Sequence, residues 1–342
     1  MKELDKKIEV LITVPTEENL LEELRRVSPQ INITFQTANS SADIPLEIWQ
    51  RVEVLYTLDA YPEPEWVPNL RWIQLYVSGA DYAMTFPVVQ QPNILVTTLS
   101  GSNSIMVAEF TVMLLLMMGH NLQGHIYRQQ NKTWITDQWN QPGLRQLRGS
   151  TVGLVGYGSI GRQIAHFLTP FEVNILAAKK DLKHLRDTGF HFKNNGDPEG
   201  DLFNRMYPIK ALKSMLRVCD FVVVSLPITS ATKGLIGEDE LAAMKKDAYL
   251  IVVGRGGVVN EQALLMALVN KSIAGAALDV FNEEPLPREN PLWDAPNLII
   301  TPHIAGIGPN YARDGMALFC ENMKRYIDGT PLYNRLDLKR GY

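Results

Sequence analysis

Gly156, Gly158 and Gly161 stand in the run Gly156-Tyr157-Gly158-Ser159-Ile160-Gly161. That spacing suits backbone contact with a pyrophosphate. The first glycine permits a tight turn, the second lets the main chain approach the anion, and the third lets a helix pack closely on a strand. A helix starting near Ile160 would then offer its N–H groups and positive dipole end to the phosphates. A glycine-rich turn alone is weak evidence, and its context decides. Here an apolar strand, Thr151-Val152-Gly153-Leu154-Val155, leads into the turn, and another returns near Val173. The turn from Gly156 to Gly161, with Tyr157, Ser159 and Ile160, is therefore assigned to a dinucleotide.

The choice of dinucleotide turns on charge. An acid about 20 residues past the turn usually accepts the adenosine ribose hydroxyls. The second strand of this series ends Ala177-Ala178-Lys179-Lys180-Asp181, which puts Lys179 at that strand end. An ammonium accepts no hydroxyl but attracts a 2′-phosphate. Lys179, with Lys180 beside it, leads the reading from NAD toward NADP. Asp181 would restore NAD if the strand ended two residues later. The cofactor is written NAD(P), leaning to NADP. A polar segment follows at residues 182–210, with Asn194-Asn195-Gly196-Asp197-Pro198 in its middle. Its His191, Lys193 and Arg205 could reach the adenosine end, but a solvated surface insertion is the favoured reading.

Two series of strands must carry these groups. The first holds Val10-Leu11-Ile12-Thr13-Val14, Ile31-Asn32-Ile33-Thr34-Phe35, Val52-Glu53-Val54-Leu55-Tyr56, Trp72-Ile73-Gln74-Leu75-Tyr76 and Ile94-Leu95-Val96-Thr97-Thr98, with a helix predicted over residues 17–27. The second runs from Thr151 through strands at residues 173–177, 221–225, 249–253, 276–280 and 298–301. Six strands alternating with helices match a doubly wound dinucleotide-binding sheet. Residues 311–328 read as one amphipathic helix.

The composition fits two α/β domains and excludes several classes. The chain has 342 residues, more than one ordinary core accommodates. Its net charge is -4 and no long basic run stands out, so nucleic-acid binding is not expected. Two distant cysteines, Cys219 and Cys320, form neither a disulfide framework nor a metal-ligand pattern. No metal is expected, and a reducing cytoplasm fits. The first ten residues are charged and lack the apolar core of a signal peptide. Residues 105–118 are strongly apolar but too short to span a bilayer, and Glu109 interrupts them. That helix is expected to be buried in a core or a subunit interface.

With the glycine turn, three further segments make the chain resemble the D-isomer-specific 2-hydroxyacid dehydrogenases. They are Leu250-Ile251-Val252-Val253-Gly254-Arg255-Gly256-Gly257, Gly275-Ala276-Ala277-Leu278-Asp279-Val280-Phe281-Asn282-Glu283-Glu284-Pro285, and Thr301-Pro302-His303-Ile304-Ala305-Gly306. The resemblance implies a catalytic Arg255, an acid–base His303 and its acidic partner Glu284. A 2-hydroxyacid carries a carboxylate, which a guanidinium binds in a planar fork. An imidazole can take the hydroxyl proton as hydride leaves the carbon, and a carboxylate on its other nitrogen orients it. The resemblance also implies that Val77, Ser78 and Gly79 bind substrate with Arg255 and His303. It implies further cofactor contacts at Leu226, Pro227, Thr232, Val253, Gly254, Arg255, Asp279 and His303. Asp279 has a plainer reading, as a strand-end acid capping the next turn.

The same resemblance implies a smaller flavodoxin-like substrate domain at residues 1–102 plus 303–342, and a Rossmann dinucleotide domain at residues 103–302. It places the active site in the cleft between them, and pairs subunits into a homodimer through the cofactor domain. The expected substrate is a small 2-oxoacid or 2-hydroxyacid such as glyoxylate or hydroxypyruvate. Formate dehydrogenases of this group carry glutamine where Glu284 stands, while the trio does not exclude a phosphite dehydrogenase. A non-enzymatic dinucleotide sensor, like the related corepressors, is disfavoured by the intact Arg255, Glu284 and His303. The chain departs from the family pattern at Val252, at Lys179 and in the length of residues 182–210.

Overall fold

The computed structural model describes residues 7–139 and 144–341. Residues 1–6, 140–143 and 342, which fall inside the expected domain ranges, lie outside the described residues. The chain divides into two compact units. The first is Met1–Asn103, Thr188–Phe190 and Gly308–Tyr342; the second is Ser104–Asp187 and His191–Ile307.

In the first unit, β1 (Ile8–Ile12), β2 (Ile31–Phe35), β3 (Val54–Thr57), β4 (Trp72–Leu75) and β5 (Leu95–Thr97) form one sheet in the order β2-β1-β3-β4-β5. Every pairing is parallel, an order shared with flavodoxin-like sheets. Each of the five β-like runs of this stretch is a strand, with ends shifted by a residue or two. Helix α1 (Glu18–Val27) buries Leu20, Leu21 and Leu24 on one stripe. Each such leucine contributes roughly 1.5–3 kcal/mol relative to exposure. The short helix α2 (Leu46–Trp49) delivers the fully buried Trp49. Between β4 and β5 the polar atoms are paired: Trp72 Nε1 donates to Thr97 Oγ1 at 2.8 Å, and Thr97 Oγ1 donates to Gln74 Oε1 at 2.8 Å.

The second unit contains α3 (Ser104–Gly119), α4 (Leu122–Gln130), β6 (Thr151–Val155), α5 (Ser159–Leu168), β7 (Asn174–Lys179), β8 (Arg205–Pro208), α6 (Leu212–Leu216), β9 (Phe221–Val224), α7 (Glu238–Ala243), β10 (Tyr249–Val252), α8 (Glu261–Val269), β11 (Gly275–Leu278) and β12 (Leu298–Ile300). Its sheet runs β12-β11-β10-β9-β6-β7-β8, parallel throughout. The strand order reverses between β6 and β9, the place where open α/β sheets take ligands beyond their carboxyl ends. A last helix, α9 (Tyr311–Ile327), belongs to the first unit and buries Met316, Phe319 and Met323.

One expectation needs correction. The sheet has seven strands, not six, because Arg205–Pro208 pairs with β7 at the edge. The segment read as a solvated insertion therefore ends in the sheet, and it carries an Asp197 that is only 3% exposed. On the apolar helix α3, expected in a core or a subunit interface, one side is buried in its own unit and another faces outward. Val107, Ala108, Leu114 and Leu115 are buried, whereas Met113 is 40% exposed and Glu109 is exposed. Among the described residues no single helix is long and apolar enough to cross a membrane.

Both cysteines sit where chemistry is suppressed. Cys219 is fully buried, its Sγ lies 3.2 Å from Met215 O, and burial pushes its thiol up to about 12. Burial does the same to Cys320, also up to about 12. Reaction requires the thiolate. The native protein at pH 8 is expected to leave both thiols almost unreacted with a chromogenic disulfide over minutes, and to titrate two after denaturation. Prompt native labelling of Cys219 would contradict its packing.

Candidate active site

The glycine turn caps β6. Gly156 has φ +106°, a left-handed backbone that favours glycine. A Cβ on Gly161 would fall 2.2 Å from Gly156 O, so the third glycine closes the start of α5 onto the turn. At Gly158 a Cβ would meet nothing within 4 Å. Protein packing therefore does not demand a glycine there, and the open face suits a diphosphate lying against the main chain at the N-terminus of α5. The residues fit the dinucleotide that the motif implies. The Tyr157 side chain is used within the protein. Its hydroxyl donates to Asp197 Oδ2 at 2.6 Å, and burial, with that hydrogen bond, raises its pKa well above the tyrosine range.

Next to the turn, β7 terminates at Lys179. The Lys179 ammonium donates to His184 O at 2.9 Å; burial first, then the Arg162 guanidinium, pulls its pKa below the usual lysine value. Lys180 is exposed. Asp181 lies beyond the strand and is engaged in its own turn. Its carboxylate accepts from Lys183 N at 2.9 Å and contacts His184 Nδ1 at 2.7 Å; the His184 contact lowers its pKa to about 2.

On the other side of β6, Leu226 and Pro227 follow β9. A Cβ on Gly156 would lie 3.0 Å from the Leu226 side chain, and one on Gly254 would lie 2.5 Å from Leu226 O. Gly254 thus presses directly onto the Leu226 main chain after β10, while Val253 N donates to Val224 O at 3.0 Å. The Thr232 hydroxyl donates to Pro227 O at 2.6 Å and accepts from Thr229 N at 2.8 Å, so it closes the turn that follows Pro227.

The second unit brings Glu284 and His303 into direct contact. His303 Nδ1 lies 2.6 Å from Glu284 Oε2. Glu284 Oε1 accepts from Phe281 N at 2.8 Å, which fixes the carboxylate from its other oxygen. His303 has φ +53°, a left-handed backbone uncommon for residues other than glycine. Asp279 at the end of β11 holds it there. Asp279 O accepts from His303 N at 2.8 Å. The Asp279 carboxylate accepts from Thr301 Oγ1, Ile304 N and Ala305 N at 2.7, 3.0 and 2.9 Å. The capping reading of Asp279 is thus what the hydrogen bonds display. Arg255 is half-buried just after β10, with its Nη1 3.0 Å from Gly254 O. It is tied to the pair through its neighbour: a Cβ on Gly256 would lie 1.7 Å from Phe281 O, and Phe281 is the residue whose amide holds Glu284.

Sequence reasoning did not single out Thr301, the Phe281 amide or the role of Gly256. A threonine two residues before a loop histidine and an acid at a strand end were the available signals for the Asp279 cap. Of the three residues that the resemblance assigns to substrate, Ser78 is used locally. Its Oγ lies 3.2 Å from Leu99 O and 3.0 Å from Asn103 Oδ1, all within the first unit. Val77 and Gly79 flank it and are half-buried.

A parallel seven-stranded sheet with a glycine turn at its switch point and a histidine–glutamate pair beyond its strands defines a dinucleotide-binding class of α/β protein. Residues 112–305 match the family model for the NAD binding domain of D-isomer specific 2-hydroxyacid dehydrogenases, and the chain belongs to that family. It is 37% identical over 244 residues to a glyoxylate reductase of Thermofilum pendens, covering 70% of this chain and 66% of that relative's length. A D-isomer specific 2-hydroxyacid dehydrogenase family protein of Aeromonas salmonicida superposes with a TM-score of 0.79 at 28% identity, over 97% of this chain and 100% of its own. A D-isomer specific 2-hydroxyacid dehydrogenase of Xanthobacter autotrophicus, solved with NADPH and MES, gives 0.80 at 26% identity, over 98% and 100%.

Proposed function

We propose that the protein is an NADP-preferring 2-oxoacid reductase, equally a D-2-hydroxyacid dehydrogenase in the reverse direction. The observation that carries this reading is the 2.6 Å contact between His303 Nδ1 and Glu284 Oε2. With Nδ1 committed to a carboxylate, the imidazole keeps Nε2 for a substrate oxygen. In reduction, protonated His303 donates from Nε2 to the carbonyl oxygen while Glu284 stabilises the imidazolium. The nicotinamide, when bound, supplies the hydride. Arg255 holds the substrate carboxylate through its planar fork. Val77, Ser78 and Gly79 are assigned to substrate by resemblance. Asp279 caps the His303 loop through its carboxylate and is the proposed partner of the carboxamide.

The NADP preference is supported by the end of β7 at Lys179 and by the engagement of Asp181 within its own turn. The Xanthobacter relative bound NADPH in its crystal, in keeping with that reading. A homodimer through the cofactor domain is supported by the outward apolar residues of α3. A groove of about 700 Å³ adjoins it, lined by Val112, Phe167, Phe171 and Leu202 among others, and shares no residue with the trio. Trp134 and Trp139 are 84% and 95% exposed, so they too are available to a second copy. Glyoxylate and hydroxypyruvate are the first substrates to test, and the cytoplasm is the proposed location.

The test is direct. Purified protein is mixed with NADPH or NADH and a panel of 2-oxoacids, and loss of reduced cofactor is followed. Turnover of at least one small 2-oxoacid, faster with NADPH, is the expected result. Cofactor binding without turnover of any 2-oxoacid would remove the reductase reading and favour a dinucleotide sensor.

A further inference from the structure

Arg162 is an oddity in this unit. It lies in α5, one residue past the glycine turn, and its side chain is 2% exposed. A buried guanidinium is tolerated only where its donors are satisfied. Besides the Tyr157 ring, its partners Leu185, Asp187 and Asp197 lie between β7 and β8. Nη1 donates to Asp197 O, and Nη2 donates to Leu185 O. Nε lies 3.7 Å from Asp187 Oδ2, and the guanidinium stands over the Tyr157 ring at 5.1 Å. Residues 185 and 197 are thereby clamped to one point on α5.

The clamp is reinforced from within. The Asp197 carboxylate gathers the Tyr157 hydroxyl and the amides of Gly200, Asp201 and Leu202. Burial opposes its charge, but these donors outweigh burial and hold its pKa below the usual carboxylate value. Asp187 N donates to Pro198 O at 2.8 Å. A Cβ on Gly200 would fall 2.4 Å from Leu185 O. The Leu185 carbonyl is therefore fixed between the Arg162 guanidinium and Gly200. The preceding carbonyl, His184 O, is the acceptor of the Lys179 ammonium.

We propose that Arg162 is a positioning residue for cofactor selection: by fixing residues 184–187 it aims the Lys179 ammonium at the 2′ position of the adenosine ribose. This rests on the NADP reading above. An ammonium has three N–H donors, so one bond to His184 O directs the head and leaves donors for a phosphate. With the clamp released, Lys179 is still charged but no longer aimed, and its advantage for NADPH over NADH disappears.

The test reads the ratio of dissociation constants for NADH and NADPH, by fluorescence titration of the intact protein without substrate. Lys179→Ala is expected to lower the preference for NADPH by about tenfold or more, the worth of a charge-assisted contact. Arg162→Met should lower it to a similar value, and the double variant no further, since the two act through one contact. A purely structural Arg162 would weaken both cofactors by the same factor and leave the ratio in place, which overturns the proposal. If Lys179→Ala moves the ratio and Arg162→Met does not, the positioning claim falls and the NADP reading stands. If Lys179→Ala leaves the ratio unmoved, both fall. Arg162→Lys keeps the charge but loses the fork; it should lie between wild type and Arg162→Met. It carries the test if the methionine variant does not fold, when an unmoved ratio would again overturn the proposal.

Discussion

Replacing His303 by asparagine is expected to lower kcat/KM for 2-oxoacid reduction by about a hundredfold to ten-thousandfold, the usual worth of a positioned acid–base group. The effect should appear mainly in kcat, because the proton is delivered in the transition state and not on binding. Asparagine is the better replacement than alanine for a geometric reason. Position 303 has φ +53°, and asparagine enters the left-handed region more readily than other side chains. The loop is also held independently of the imidazole, by the Asp279 carboxylate on Ile304 N and Ala305 N. The main chain should therefore stay in place while the proton donor is lost. Dissociation constants for the reduced cofactor should change by about twofold or less, since the glycine turn and Lys179 are untouched. Stopped-flow or steady-state assays with matched cofactor titrations check both halves. Turnover within about threefold of wild type would remove His303 from the proton path.

Much of this arrangement was legible in the sequence, and the reasons are local. Gly156, Gly158 and Gly161 announce a strand-to-helix turn because each glycine answers a separate steric demand. The positions of Arg255, Glu284 and His303 came from resemblance, and the contact between the last two is now visible as a 2.6 Å pair. The strands of the second sheet were readable because buried parallel strands are continuous apolar runs, such as Phe221-Val222-Val223-Val224. Arg205–Pro208 was not, because an edge strand of four residues with arginine and proline at its ends carries no such run. Arg162 and Asp197 were invisible for a different reason. A charged residue reads as surface, and only the folded chain reveals that each is buried by satisfying the other's segment. The outward face of α3 was hidden by uniform composition, since an apolar helix gives no sign of which side meets the core.

Gly256→Ala is expected to be nearly as damaging as loss of the histidine, although glycine 256 does no chemistry. Its demand is space, not backbone freedom. A Cβ there would stand 1.7 Å from Phe281 O, 2.2 Å from Phe281 C and 2.9 Å from Asn282 N. All three are main-chain atoms, so no side-chain rotation relieves the overlap. Either the loop after β10 or the loop after β11 must move by more than an ångström-scale adjustment of packing. The first carries Arg255. The second carries Phe281, whose amide holds Glu284 Oε1 at 2.8 Å, and Glu284 in turn holds His303. Overpacking of this kind costs about 1–3 kcal/mol or more, which for a domain of this size is a fall in Tm of about 2–4 °C per kcal/mol. Misplacement of a catalytic group by about 1 Å can cost roughly a hundredfold in rate. The expected result is a lower Tm together with a kcat reduced by about a hundredfold in protein that is still folded at the assay temperature. Those two losses separate the explanation from simple unfolding, because a variant that is merely less stable recovers its full kcat on cooling. Wild-type kcat in a folded Gly256→Ala protein would show that Arg255 and the Glu284–His303 pair do not depend on the close approach of these two loops.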